Sequence, residues 1–286
     1  MILVTGATGR VGREVVQQLA AAKMPVRALV RSADRASDLA AMGAELAVGD
    51  LEKPESLDRA LAGVESLFLA SRAEPKLAER EGNAVEAARR AGVRFIVKVS
   101  VSGGPDAPTQ IGRWHWAVEK RLAASGIAST ILRPALYMQG AFLWLPEIAA
   151  SGQFHVPMGD GRASVVDARD VAAVAVEALK TKGLPQPLYD VTGPSAISFN
   201  EIASEISEAA GRPVAYVDVT PRQWKQERLA AGVPAWLVED MLFLYNAYRE
   251  GYGGAVSTTV RDVTGRDPRS FRQFARDYAD RFREAG

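Results

Sequence analysis

Three glycines stand close together near the start of the chain. In "VTGATGRVG" Gly6, Gly9 and Gly12 recur every third residue, directly behind the apolar run Met1 to Val4. A turn of this kind, set between a strand and a helix, aims the helix's free N–H groups and the positive end of its dipole at one point. That combination suits a pyrophosphate. Gly6 would permit the tight turn, Gly9 the approach of backbone to phosphate, and Gly12 the close packing of helix on strand. The spacing is G-x-x-G-x-x-G rather than G-x-G-x-x-G. Its weight therefore comes from its setting between a strand and an amphipathic helix.

Two further stretches carry chemistry. At the end of the second apolar run, "ALVRS" places Arg31 where a site for an unphosphorylated ribose would offer an acidic residue. A guanidinium there suits a ribose 2′-phosphate through charge-assisted contacts, and Arg10 in the glycine turn supplies a second cation. These residues point to NADP(H) in preference to NAD(H). Asp50 and Leu51 close the third run, where the adenine would lie. The other stretch is "RWHWAVEK" at 113–120. His115 there is either a proton donor that also orients a carbonyl or a histidine held in the core. Lys120 falls about 140° around the helix from His115, on the side expected to face solvent.

The elements that must position these residues alternate regularly. Apolar strand-like runs are expected at 1–5, 25–31, 44–50, 64–71, 93–101 and 128–137. Helical spacing falls between them at 10–23, 33–43, 53–63, 76–91 and 112–125, with Gly43, Gly63 and Gly92 as stop signals. Alternation of this kind predicts an α/β fold, a doubly wound parallel sheet with helices on both faces. Beyond about residue 138 the rhythm weakens. Helices are expected at 167–180, 198–211, 220–232, 234–250 and 270–283, the third opened by Thr220 and Pro221 and the second by a Ser198/Glu201 capping box. The expected division is a dinucleotide-binding domain over 1–138 and a smaller, mostly helical C-terminal lobe over 139–286, with one strand returning to the sheet near 187–193.

Composition narrows the function classes. The chain has 286 residues, 35 basic and 34 acidic side chains and a net charge of +1, so charge gives no reason to expect nucleic acid as a partner. It has no cysteine and two histidines, which removes thiolate chemistry and disfavours a histidine-rich metal site. No apolar run reaches membrane-spanning length. The first strand begins at about Met1, which leaves no room for a signal peptide. A cytoplasmic location is the expectation, as a monomer or a homodimer.

Taken together, "TGATGRVG", "VRALVR", "VGDLEKPESL" and "SGIASTILRPALY" resemble the NmrA-like group of atypical short-chain dehydrogenases/reductases. The likeness is greatest to its NAD(P)H-dependent quinone, azo-dye and triphenylmethane-dye reductases. It extends through "AAGVPAWLVEDMLFLYNAYREGYGG" and "VTGRDPRSFRQFARDYA", nearly the whole chain. It implies a Rossmann-type domain binding NADP(H), with contacts at Gly6, Thr8, Gly9, Arg10, Val11, Gly12, Arg31, Asp50, Leu51, Ser71, Ser100 and Pro134. It also implies a small C-terminal substrate lobe. The typical short-chain dehydrogenase uses a tyrosine with a lysine four residues on. None of the tyrosines at 137, 189, 216, 245, 248, 252 and 278 has one, and the matching helix reads Trp116-x-x-x-Lys120. Indole is a poor proton donor to an alkoxide. The group often carries H-x-x-V/T-E instead, matched here by His115 to Glu119.

The expected activity is hydride transfer from NADPH to a small aromatic acceptor, with His115 and Tyr137 as catalytic candidates. Such products are weakly basic, so positioning and desolvation would supply much of the rate. Met138, Phe142, Trp144 and His155 are the expected acceptor pocket, lying past the sixth strand where α/β sheets bind ligands. The alternative reading is a non-catalytic NADP(H)-binding redox sensor with a regulatory protein partner. The sequence leaves the acceptor itself open.

Overall fold

The computed structural model describes residues 1–284. Its main sheet contains β1 (Ile2–Val4), β2 (Val26–Val30), β3 (Glu45–Val48), β4 (Ser66–Leu69), β5 (Phe95–Val99), β6 (Ala128–Pro134) and the later strand Leu188–Val191. All neighbours pair in parallel. The order across the sheet is β3-β2-β1-β4-β5-β6, with Leu188–Val191 at the far edge. The chain runs outward from β1 to β3, then returns to place β4 on the other side of β1. Such a reversal opens a crevice above the carboxyl ends of the strands.

Helices α1 (Arg10–Ala21), α2 (Ser37–Ala41), α3 (Leu57–Ala60), α4 (Leu77–Arg90) and α5 (Gln110–Ala124) connect these strands. The central strands β1, β4 and β5 are buried along their whole length, as expected of a parallel sheet covered on both faces. On one face Val15, Val16 and Leu19 of α1 pack with Ile2, Val4, Val97 and Val99. On the other, Leu77, Val85, Val118 and Leu122 from α4 and α5 cover Leu3, Leu67, Leu69 and Ile96. Strand residues two apart share a face, so odd and even positions of β5 serve different helices.

The later elements are α6 (Leu145–Ser151), β7 (Gln153–Val156), β8 (Arg162–Ala163), α7 (Ala168–Thr181), β9 (Leu188–Val191), β10 (Ile197–Ser198), α8 (Phe199–Ala210), β11 (Ala215–Asp218), α9 (Pro221–Ala230), α10 (Ala235–Arg249), α11 (Thr259–Thr264), α12 (Phe271–Asp277) and α13 (Ala279–Arg283). The capping box expected at Ser198 and Glu201 is present. The helix expected at 270–283 is broken at Tyr278 into α12 and α13. The lobe also carries small strands that periodicity did not reveal: β7 pairs with β11 and β8 with β10. The return to the sheet is broader than a strand. Helix α7 packs on α1, and α11 packs on α7 and β9, so this middle segment belongs to the N-terminal core.

The lobe is tied to α5 at that helix's first turn. Thr109 caps α5 by accepting from the Gly112 N–H at 3.0 Å. The carboxylate of Asp240 on α10, 3% exposed, accepts from the Gln110 N–H and, at 3.1 Å, from the Ile111 N–H. Trp114 and Trp236 meet beside it with ring centroids 5.5 Å apart. A helix's first N–H groups have no partner within the helix, and here three of them find partners outside it. Replacing Asp240 by alanine strands two of those donors, so Asp240→Ala should lower stability by about 1–3 kcal/mol. Urea denaturation measures this, and Asp240→Asn, which keeps an acceptor oxygen, should lose less.

Candidate active site

The glycine turn is shaped by backbone contact. Gly6 adopts φ +58°, and a Cβ on it would lie 2.7 Å from the Ala70 carbonyl oxygen. A Cβ on Gly12 would lie 2.2 Å from the Gly6 carbonyl oxygen, so α1 approaches the turn as closely as a backbone can. Gly9 differs: it is extended at φ −83°, and its Cβ would meet only the Gly6 oxygen, at 3.1 Å. Thr5, just before the turn, pins β1 to β4. Its hydroxyl donates to the Ala70 carbonyl at 2.8 Å and accepts from the Ala70 N–H at 3.0 Å. No side chain caps the N-terminus of α1 and no acidic residue stands in its first turn. Thr8, Gly9 and Arg10 are exposed, while Val11 and Gly12 are buried. The result is an open helix N-terminus behind a cradle that side chains would fill, which fits the pyrophosphate of a dinucleotide.

The other expected contacts line the same edge of the sheet. Arg31 is exposed at the end of β2 and makes no ion pair among the described residues. Asp50 accepts from the Glu52 N–H at 3.0 Å, shaping the turn after β3. The Leu51 carbonyl accepts from the Asn83 side chain at 2.9 Å. Ser71 and Ser100 end β4 and β5, and both hydroxyls are already committed to buried carboxylates. Ser71 donates to Glu81 at 2.9 Å and Ser100 to Glu119 at 2.5 Å. Pro134 is buried at the end of β6.

The two catalytic candidates occupy different sides of the sheet. His115, 6% exposed, lies on the α4–α5 side, with Nδ1 2.9 Å from the Lys98 ammonium. Burial, and then the charge of Lys98, hold its pKa well below the ordinary histidine value. The imidazole is therefore neutral near pH 7, which excludes a standing imidazolium acid. Tyr137 is half-buried against the cluster of α1 and α7. Burial pushes its phenol pKa up, opposed by the charge of Arg10, so the O–H stays on. Lys120 is exposed, as expected.

The side chains expected to form the acceptor pocket pack otherwise. Met138 is 1% exposed within the core of the lobe. Phe142 lies among Phe274, Tyr278 and Phe282, with the Arg281 guanidinium 3.7 Å from its ring centroid. Trp144 stacks on Phe154 at 4.3 Å. His155 pairs with Glu147 at 3.1 Å. These aromatic groups build the lobe, whose own core they fill. A cavity of about 290 Å³ does open at the carboxyl ends of β5, β6 and β9, lined in part by Ser102, Asp190, Thr192, Tyr248 and Tyr252.

Sequence reasoning named Glu119 only as part of the helix motif and missed the other charged residues beneath the crevice: Glu81, Lys98 and Arg133. Arg133 grips Glu119 at 2.5 and 3.1 Å, and Lys98 lies 2.9 Å from Glu81, both of the latter pair fully buried. A signal existed. Lys98 interrupts the apolar strand "FIVKV", and Glu81 occupies the stripe of Leu77, Ala84, Val85 and Ala88 on α4. A charge at such a position needs a partner.

A parallel sheet with a switch point at β1/β4, a glycine cradle and an open helix N-terminus defines a Rossmann-type protein. The chain matches the NmrA-like family over residues 1–268 and belongs to that family. It is 42% identical over 283 residues to the NAD(P)H azoreductase of Xenophilus azovorans, covering 99% of each chain. It is 38% identical over 284 residues to the (4-alkanoyl-5-oxo-2,5-dihydrofuran-3-yl)methyl phosphate reductase of Streptomyces griseus subsp. griseus, again covering 99% of each. The structure of an NADPH-dependent quinone oxidoreductase from Escherichia coli, complexed with NADPH, superposes with a TM-score of 0.87. That match has 28% identity and covers 96% of this chain and 98% of the other.

The glycines should separate by substitution. Gly12→Ala forces a methyl group against backbone and should cost about 1–3 kcal/mol, as overpacking does. Gly9→Ala meets a milder contact, the Gly6 oxygen at 3.1 Å, and should cost less, about 1 kcal/mol, near the difference between glycine and alanine at an N-cap. Thermal unfolding of the two variants compares them directly.

Proposed function

We propose that this protein is an NADPH-dependent reductase that delivers hydride to a small aromatic acceptor such as a quinone or an azo compound. The observation that carries the reading is the cradle. Gly6 and Gly12 leave no room for side chains, α1 starts uncapped above them, and the exposed cation Arg31 stands at the next strand end. The names of the two curated relatives support the reductase class. The nicotinamide, when bound, would supply the hydride.

The chain's own residues take the remaining tasks. The N–H groups of the turn and of α1, with Arg10, hold the pyrophosphate. Arg31 binds the 2′-phosphate, and Asp50 and Leu51 border the adenine. Backbone at Ser71, Ser100 and Pro134 borders the ring that reacts. Tyr137, beside Arg10, lines the cofactor side. His115 is a neutral donor to the oxygen or nitrogen that gains charge as the acceptor is reduced, in the manner of an oxyanion-hole group. Among the described residues no helix is long and apolar enough to cross a membrane, and we place the protein in the cytoplasm.

Two measurements test this reading. NADPH should bind about 10- to 150-fold more tightly than NADH, the worth of a charge-assisted contact, and Arg31→Ala should erase that preference while sparing NADH. Equal affinities in the wild type would sink the role of Arg31. NADPH oxidation against quinones, azo dyes and triarylmethyl dyes tests the chemistry. His115→Ala should lower kcat for a quinone by about 10²–10³-fold, the usual loss for one such donor. The loss should be smaller for a triarylmethyl cation, which gains no negative charge. Oxidation with no acceptor in the panel would overturn the reductase reading.

A further inference from the structure

Lys98 is fully buried on an inner strand, on the face covered by α4 and α5. Three acceptors surround its Nζ: the Val99 carbonyl, Glu81 Oε2 at 2.9 Å and His115 Nδ1 at 2.9 Å. An ammonium has three N–H bonds and no lone pair. The Val99 carbonyl and His115 Nδ1 each take one N–H, whereas Glu81 Oε2 contributes an ionic contact without hydrogen-bond geometry. Glu81 Oε1 is held in turn by the Ser71 hydroxyl at 2.9 Å.

This arrangement dictates the state of the ring. An imidazole that receives a hydrogen bond at Nδ1 carries its proton on Nε2. Among the described residues no protein group partners Nε2, and that atom is not fully enclosed. Helix α5 begins at the carboxyl end of the sheet, and His115 lies in its second turn. Glu119, one turn further along α5, is paired with Arg133 of β6. From α4, Glu81 pairs with the lysine that faces the ring, and it is held by Ser71 just beyond β4.

We propose that Lys98 is a positioning residue that fixes His115 as the neutral Nε2–H tautomer, so that the open edge of the ring is a permanent hydrogen-bond donor to the acceptor. The proposal rests on the donor role given to His115 above. It explains why an ion pair is kept in an apolar layer, where burial of charge is costly. An apolar pair would pack as well but would leave the ring free to rotate or to change tautomer.

The chain's two histidines make the test direct. In protein labelled with ¹⁵N-histidine, His155→Gln assigns the signals. His115 should show an unprotonated Nδ1 and a protonated Nε2, unchanged from about pH 5 to pH 8, the range in which an ordinary histidine titrates. In Lys98→Met the donor to Nδ1 is lost, so His115 should show mixed tautomers and the quinone kcat should fall, while burial, the larger cause of the lowered pKa, keeps the ring neutral across that range. Lys98→Met combined with Glu81→Gln leaves no stranded carboxylate. It should fold, show mixed tautomers and lose about 10- to 100-fold in kcat with little change in the KM for NADPH, by analogy with partners that orient metal-bound imidazoles. A wild-type His115 that titrates normally, or that carries its proton on Nδ1, overturns the proposal. So does a double variant with an unaltered tautomer. Because NMR reads the ring without turnover, the expected tautomer together with full activity in His115→Ala would refute the donor role and leave the assignment of the ring intact.

Discussion

A methyl group at position 12 would lie 2.2 Å from the carbonyl oxygen of Gly6, and much of the molecule depends on that space being empty. Without a side chain there, α1 settles directly on the turn that follows β1. Its uncapped N-terminus then stands over the crevice between β1 and β4. Val15, Val16 and Leu19 on its inner face meet the sheet, and its flank receives α7 from much later in the chain. A helix displaced outward by one methyl would move its N–H groups away from any phosphate and open a gap along the α1–α7 seam. Backbone proximity thus sets both the binding geometry and the packing of this face.

The opposite face follows a different principle. Between the sheet and helices α4 and α5 lies an apolar layer with two charged pairs in it, Glu81 with Lys98 and Glu119 with Arg133. Pairs of this kind seldom add net stability over apolar residues of equal size. What they add is direction. Hydrogen bonds hold an atom along an axis, whereas apolar contacts tolerate rotation. Ser71 and Ser100, at the ends of β4 and β5, are each tethered to one pair. The floor of the crevice is therefore fixed in orientation as well as in position, which an active site requires.

How much of this could be read in the sequence depends on the range of each interaction. The strands and helices of the N-terminal half were legible because burial imposes its period on neighbouring residues. The glycine turn and the place of Arg31 at the end of β2 were legible for the same reason, since a strand, a turn and a helix are contiguous. The Lys98–His115 contact spans 17 residues and the Asp240 cap on α5 about 130, and no local pattern encodes such pairings. Strands β7 and β11 pair across some 60 intervening residues and hold four residues each, too few to show alternation. Phe142 and Trp144 were expected to line a pocket because they are flat, apolar and close behind β6. Composition alone does not separate a pocket wall from a core, and here Phe142 packs on Phe274, Tyr278 and Phe282 and Trp144 on Phe154 and Phe199, against the core of the lobe.

Helix α5 joins these two regimes. Its first turn is held by Asp240 and Trp236 from the lobe, and its inner face by the charged pairs under the sheet. His115 sits between the two attachments. A shift of α10 would therefore reach the ring through the backbone of α5, while Lys98 would resist any change in the ring's own orientation. The lobe holds none of the proposed cofactor contacts, yet it is tied to the helix that carries His115, the proposed donor. A substitution in α10 that loosens the Asp240 cap should act on the reaction through kcat, because it displaces His115 without touching the cradle that binds the dinucleotide.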